Sequence, residues 1–349
     1  MPPPVTRFAS SPPTNSTFAQ QHKLPKLPIP ELEDTCRRYL RALEALQDEQ
    51  EHSKTQEAVR DFLENDGPKI QEKLKEWAAQ KDSLAISRIS GKSFYAAYEI
   101  RLIALLRYES YLSHTDPVVL ALNPFFVLEN DPTPDRGSQL PRAATLIVSS
   151  LGFVHDLRAG LLQPDMVRGT PLDMDQYKRL FGTSRIPTER GCVMDTKENA
   201  NHIVVLRRGQ FYWFEVLDDE NRPVLTEREV LRNLQAIVAD ADQVNRSEIA
   251  RGAIGVLSTE NRKNWSKLRS KLACDRHNAS CLEIVDDALF VVCLDDATPV
   301  NLADMCSNYL CGTYALENGE QVGTCINRWY DKVHIRAFPF NILLLNKKP

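Results

Sequence analysis

The sequence predicts an α+β protein, with a helical amino-terminal segment leading into mixed α/β layers around a sheet. Apolar residues recur at helical spacing between Leu32 and Trp77, and β-rich stretches start only near Ile203. From there strands and helices alternate, which is the pattern of mixed layers sharing one core. At 349 residues the chain is long enough to bury that core, as one large domain or two ordinary ones.

Prolines 2–4, 12 and 13 mark residues 1–23 as a flexible leader, with order beginning near Leu24. Pro30 suits a first helical position, and Glu31, Glu33 and Asp34 give a first turn that favours negative charge. Leu32, Cys36, Tyr39, Leu40, Leu43 and Leu46 then line one face. Ser53 with Gln56 reads as the capping box of a second helix carrying Val59, Phe62 and Leu63. Gly67 and Pro68 end it and open a third, with Ile70, Leu74 and Trp77 inward, so that the helical segment spans 24–82. Residues 84–107 depart from the pattern on either side, since they hold a single acid, Glu99, and show no clean period before Ile100. A long helix returns over Leu140–Leu162, with Ile147, Leu151, Val154 and Leu161 as core positions.

Ile203–Leu206 and Phe211–Leu217 flank Arg208 and Gly209 and read as a hairpin. Thr226 with Glu229 forms a capping box, and Leu225 against Val230 forms its staple, giving a helix to about Asp242. Ala253–Leu257 and Ala288–Leu294 read as buried strands on either side of a helix over Trp265–Leu272. Asn301 caps a helix that runs through Leu310 and stops at Gly312.

The net charge of −4 and the lack of a compact basic patch argue against a nucleic-acid partner. Eight scattered cysteines form no extracellular framework, and no apolar run is long enough for a membrane span. A reduced intracellular compartment is the simpler reading. Residues 1–30 lack acids, as a transit peptide does, but their prolines make a poor amphipathic helix.

Five blocks, in order, carry a resemblance to the choline/carnitine acyltransferases. They are LPKLPIPELEDT (Leu24–Thr35, followed by Tyr39), YLSHTDPVVLALNPFF (Tyr111–Phe126), FGTSRIP (Phe181–Pro187), GVLSTENRKNW (Gly255–Trp265) and NRWYDK (Asn327–Lys332). Cys36 stands where an aliphatic residue is usual. Singly each block is commonplace, since core tryptophans and surface arginines are ordinary. Their joint order is not. The chain most resembles the fungal carnitine acetyltransferases of the family, over about 24–82 and 108–332.

The resemblance implies acyl transfer, acetyl above all, between coenzyme A and carnitine. Acyl coenzyme A is then a cosubstrate, no cofactor or metal is bound, and complete relatives reside in mitochondria or peroxisomes. Such transfer needs a base for the attacking hydroxyl or thiol and a donor for the oxyanion. In the family NRWYDK opens a strand, here from Arg328, and the base is a histidine in an E-H-x-x-x-(D/E)-G run past the end of that strand, on the next one, within a tunnel between two similar domains. Here Lys332 is followed by VHIRAFPFNILLLNKKP. His334 comes too early to be that base, and no catalytic residue is assigned. Only Tyr111 carries over, as a substrate-side residue. His155 and His202 read as structural. His277, between Cys274 and Cys281, lacks the second ligand pair a zinc site needs.

Residues 108–332 are accordingly expected to be a partial acyltransferase domain, 84–107 an anomalous insert, and 333–349 a tail outside the family pattern. Translated intron sequence accounts for both departures. Phe338, Phe340 and Ile342–Leu345 make the tail apolar, and the expectation is exposure and self-association through an open sheet edge. On this reading the chain is inactive. A non-catalytic interaction fragment is the alternative. Carnitine against choline, and acyl-chain length, stay open at this point.

Overall fold

In the computed structural model, residues 16–24, 29–80, 112–118, 125, 127–128, 133, 138–321 and 323–337 are described. Tyr111, the stretch 84–107 and residues 338–349 lie outside them. The chain divides into two units: residues 13–106 with 163–175, and residues 1–12, 107–162 and 176–349.

The smaller unit holds α1 (Leu32–Glu44), α2 (Glu49–Glu64), α3 (Gly67–Gln80) and a short ribbon of β1 (Met166–Val167) with β2 (Thr170–Pro171). Gln21, inside the expected flexible leader, accepts the Met174 N–H at 3.1 Å. The first helix starts after Glu31 rather than at Pro30. Its expected apolar face is only partly used: Cys36 is buried, whereas Tyr39 and Leu46 are 54% and 78% exposed. For α2 the capping box at Ser53 is corrected. Asp48 caps the helix by accepting the Gln50 and Glu51 N–H groups at 2.9 and 2.8 Å, which places Ser53 a full turn inside. An aspartate upstream satisfies the orphan donors as well as Ser53 could and adds a turn of helix.

The larger unit opens with α4 (Gln139–Arg158), followed by a ribbon of β3 (Thr183–Thr188) and β4 (Gly191–Thr196). Next come β5 (His202–Arg207) and β6 (Gln210–Glu215), the expected hairpin. Its turn residues Arg208 and Gly209 have φ of 49° and 71°, as a tight two-residue turn requires. In α5 (Glu227–Ala241) both halves of the Thr226–Glu229 capping box form, and Leu225 packs in the cluster that holds Val230. Four helices follow: α6 (Arg246–Gly252), α7 (Arg262–Leu272), α8 (Arg276–Asp287) and, after β7 (Val291–Leu294), α9 (Leu302–Leu310). Asn301 caps α9, accepting the Asp304 N–H at 2.9 Å, and Gly312 stops it at φ 74°. A ribbon of β8 (Leu316–Glu317) and β9 (Glu320–Gln321) and then β10 (His334–Ala337) complete the described chain.

The sheet order is β10-β7-β5-β6, with β10, β7 and β5 parallel and β6 antiparallel. Alternation along the strands decides the two cores. Ile203, Val205, Val292 and Leu294 face α4 and α5, while Val204, Leu206, Val291 and Cys293 face Trp265, Leu282, Val285 and Trp329. Helices cover both faces of the sheet, and the fold is α+β in mixed layers.

Two expected strands are corrected. In place of a strand over Ala253–Leu257, a 3₁₀ segment runs over Ile254–Thr259, where the Ser258 and Thr259 hydroxyls donate back to the Gly255 and Val256 carbonyls at 2.6 and 2.7 Å. A strand opening at Arg328 is not formed; the strand starts at His334. In a strand Arg328, Trp329, Asp331 and Lys332 would alternate between faces; instead all four are buried, most of them in polar contacts that hold a turn. His334–Ala337, expected to begin an exposed tail, pair in register with Val291–Leu294.

Candidate functional site

Four of the five blocks singled out in the sequence meet around Asp331. Its carboxylate accepts from Arg262 Nη1 at 2.5 Å and from Trp265 Nε1 at 2.7 Å, and both Asp331 and Arg262 are fully buried. The Asp331 carbonyl accepts the Arg185 N–H at 2.7 Å, and the Arg262 N–H donates to the Thr115 carbonyl at 2.7 Å. Contributions thus come from four blocks, at Thr115, Arg185, Arg262 with Trp265, and Asp331 itself. Burial pushes the Asp331 carboxyl above the ordinary carboxylate range, against the pull of Arg262.

Gly255 explains how two of these blocks pack together. A Cβ there would stand 2.5 Å from the Arg328 carbonyl oxygen and 3.1 Å from that of Ile326, so only glycine permits the approach. Ser258 locks the contact by accepting the Tyr330 N–H at 3.0 Å. Trp265 and Trp329 then meet edge to face, centroids 5.6 Å apart.

The remaining polar residues of NRWYDK are also consumed internally. Arg328 makes a two-pronged bond to Asp295, 2.9 Å on each arm, and also donates to the Asn308 carbonyl. Asn327 Oδ1 accepts the Gly209 N–H at 2.8 Å. Lys332 Nζ donates to the Thr183 and Asp286 carbonyls and lies 3.1 Å from Ser184 Oγ. Burial brings its ammonium down to about 8, and burial pushes the Asp286 carboxyl up to about 6 despite Arg269 beside it. A Ser–Lys pair is a familiar nucleophile arrangement, but the Ser184 hydroxyl donates to the Asp286 carbonyl at 2.9 Å and both residues are buried. The arrangement is a clasp: it fixes α7, α8, β3 and the end of β7 against the turn that feeds β10.

His334 Nε2 accepts the Trp329 N–H at 2.9 Å, and its ring meets Tyr330 edge to face. Burial, with Arg336 and Arg328 nearby, holds it well below the usual histidine range. A lone pair committed to the backbone takes no proton from a substrate. His202 Nε2 contacts the Ile284 carbonyl at 2.7 Å, and His155 Nδ1 lies 3.1 Å from Asp156. His277 is one turn from Cys281 on the exposed side of α8, and among the described residues no three His, Cys, Asp or Glu side chains converge. A groove of about 510 Å³ between α1 and α2 contains no histidine; Cys36, Tyr39, Thr55, Val59 and Phe62 line it. No helix among the described residues is long and apolar enough to cross a membrane. Reading the sequence missed Asp295, Asn308, Ser184 and Asp286 as partners of the clasp. Asp295 alone left a signal, an acid directly ending the apolar run Leu289–Leu294.

Residues 27–338 match the Choline/Carnitine o-acyltransferase family model, and the chain belongs to that family. It is 39% identical over 344 residues to the putative mitochondrial carnitine O-acetyltransferase of Saccharomyces cerevisiae. It is 34% identical over 347 residues to the mitochondrial carnitine O-palmitoyltransferase 2 of Homo sapiens, and 32% identical to that of Xenopus tropicalis. These matches cover 89 to 90% of this chain and 48% of each relative, so the chain spans about half the length of the curated relatives it matches.

Proposed function

We propose that these residues are the scaffold portion of an enzyme that moves an acetyl group between coenzyme A and carnitine in mitochondria. The observation that carries the reading is the convergence of four family blocks on Asp331, which makes them one structural unit rather than four coincidences. The relatives support the finer points. All three are named for carnitine, and the one named a putative carnitine O-acetyltransferase is 39% identical, against 34% and 32% for the two named palmitoyltransferases, while a second yeast relative named a carnitine O-acetyltransferase is 26% identical. Their names also supply the compartment.

In this reading the clasp acts by position. It holds β10 and the chain leaving it against the sheet, and a base carried beyond it gains a fixed geometry, worth far more than proximity in a loose chain. The clasp residues move no proton themselves, and this reading expects no turnover from residues 1–349 alone. The test is reconstitution: residues 1–349 mixed with the carboxy-terminal half of the yeast relative, followed by thiol release from acetyl coenzyme A. Carnitine-dependent release that neither part gives alone is expected. A correctly assembled pair without release sinks the proposal.

A further inference from the structure

Arg336 is a cation that no carboxylate among the described residues neutralises. Register places it opposite Cys293 on the parallel neighbour β7, so it projects with His334 onto the face that carries Trp265 and Trp329, while Ile335 packs into the opposite core. Its guanidinium lies 5.7 Å over the Tyr330 ring. Its Nε and Nη1 are enclosed and have no hydrogen-bond partner. The carboxylate nearby, Asp295, is already held on both oxygens by Arg328. The Tyr330 hydroxyl donates to the Leu310 carbonyl at 3.2 Å. Two guanidiniums therefore share one carboxylate, and enclosing an unpaired charge is costly unless a counter-charge arrives. Burial and the neighbouring Arg328 both pull the Arg336 guanidinium below its ordinary range, in the direction an unneutralised cation takes.

We propose that Arg336, stacked on Tyr330 beside the Arg328–Asp295 pair, is the binding group for a small oxyanion, a carboxylate or a phosphate. A planar guanidinium fits two oxygens of one anion side by side through Nη1 with Nη2 or through Nε with Nη2, so the unpartnered Nη1 and Nε each stand in one such fork, and the ring beneath it fixes the plane. Arg336 as a whole is half-buried, with Nε and Nη1 enclosed, so an anion reaches those two nitrogens only when the side chain moves.

The test is thermal unfolding of the 349-residue chain in increasing sodium acetate or sodium phosphate, with sodium chloride holding ionic strength constant. A saturable rise in midpoint of about 2 to 4 °C is expected, because a ligand that binds only the native state stabilises it. The acetate and phosphate arms distinguish the two sources of the anion. Arg336→Met removes the rise and does not lower the midpoint in chloride alone. An equal rise in wild type and Arg336→Met overturns the proposal. If the variant does not fold, modification of the wild type with an arginine-selective dicarbonyl, read by peptide mass, decides the matter: the oxyanion that binds protects Arg336, and unprotected modification at saturating oxyanion refutes the site.

Discussion

Asp331→Asn isolates the electrostatics of the clasp with almost no change in shape. Asp331 and Arg262 are both fully buried and 2.5 Å apart, so the substitution leaves an enclosed guanidinium without its counter-charge. Breaking such a pair from one side costs about 3 to 5 kcal/mol. Hydrogen bonding adds to this. The carboxylate accepts from Arg262 on Oδ1 and from Trp265 on Oδ2, whereas an asparagine at 331 has one accepting oxygen and turns an amide N–H₂ toward the other donor. Set against about 5 to 15 kcal/mol for a whole protein, a loss of about 4 kcal/mol is about a quarter or more of the stability. Trp265 and Trp329 lie in the clasp, so urea unfolding followed by tryptophan emission reads the site directly. The expected result is a midpoint lower by at least about 1 M with an unchanged slope. The double variant Arg262→Met with Asp331→Leu removes both charges and should recover most of the loss. If Asp331→Asn costs under about 1 kcal/mol, the carboxylate is not holding the blocks together and the reasoning fails.

Gly255→Ala places a methyl 2.5 Å from the Arg328 carbonyl oxygen, a backbone atom that cannot swing away. Overpacking of this kind costs about 1 to 3 kcal/mol, read as a fall of several degrees in thermal midpoint, and an unchanged midpoint refutes the close approach. His334 sets an acid dependence. Its folded pKa lies well below the usual value, so as pH falls below about 6.5 the unfolded chain takes up a proton that the native state refuses, and stability drops by at most about 1.4 kcal/mol per pH unit. Asp286, pushed up to about 6, works in the opposite direction between its ordinary range and pH 6, which makes the difference from His334→Gln the informative quantity. The variant should lose stability less steeply than wild type from pH 6.5 to 5; identical slopes contradict the assignment.

Local signals were legible where one element decides its own structure. The Thr226–Glu229 box, the Arg208–Gly209 turn and the Asn301 cap rest on side chains and backbone close in sequence, and each formed as expected. Failures came where distant contacts override local pattern. Ala253–Leu257 has strand-like composition, yet Gly255 is there to meet Arg328, more than seventy positions along the chain. NRWYDK reads as a strand opening until Asp295, Asp286 and Arg262 bury its charges in a turn. Family kinship was legible as a series of blocks, but the convergence of four of them around Asp331 was not, because no sequence spacing encodes which blocks touch. The motif, read as the approach to a catalytic histidine, also fastens the fold through Asn327, Arg328, Asp331 and Lys332.

That claim is tested most directly by carnitine-dependent thiol release from acetyl coenzyme A, measured for residues 1–349 and for His334→Gln at equal concentration of folded protein. The account predicts release indistinguishable from buffer for both, since His334 Nε2 is committed to the Trp329 N–H and Lys332 and Ser184 are buried in the clasp. Turnover by residues 1–349 that disappears in His334→Gln would contradict it.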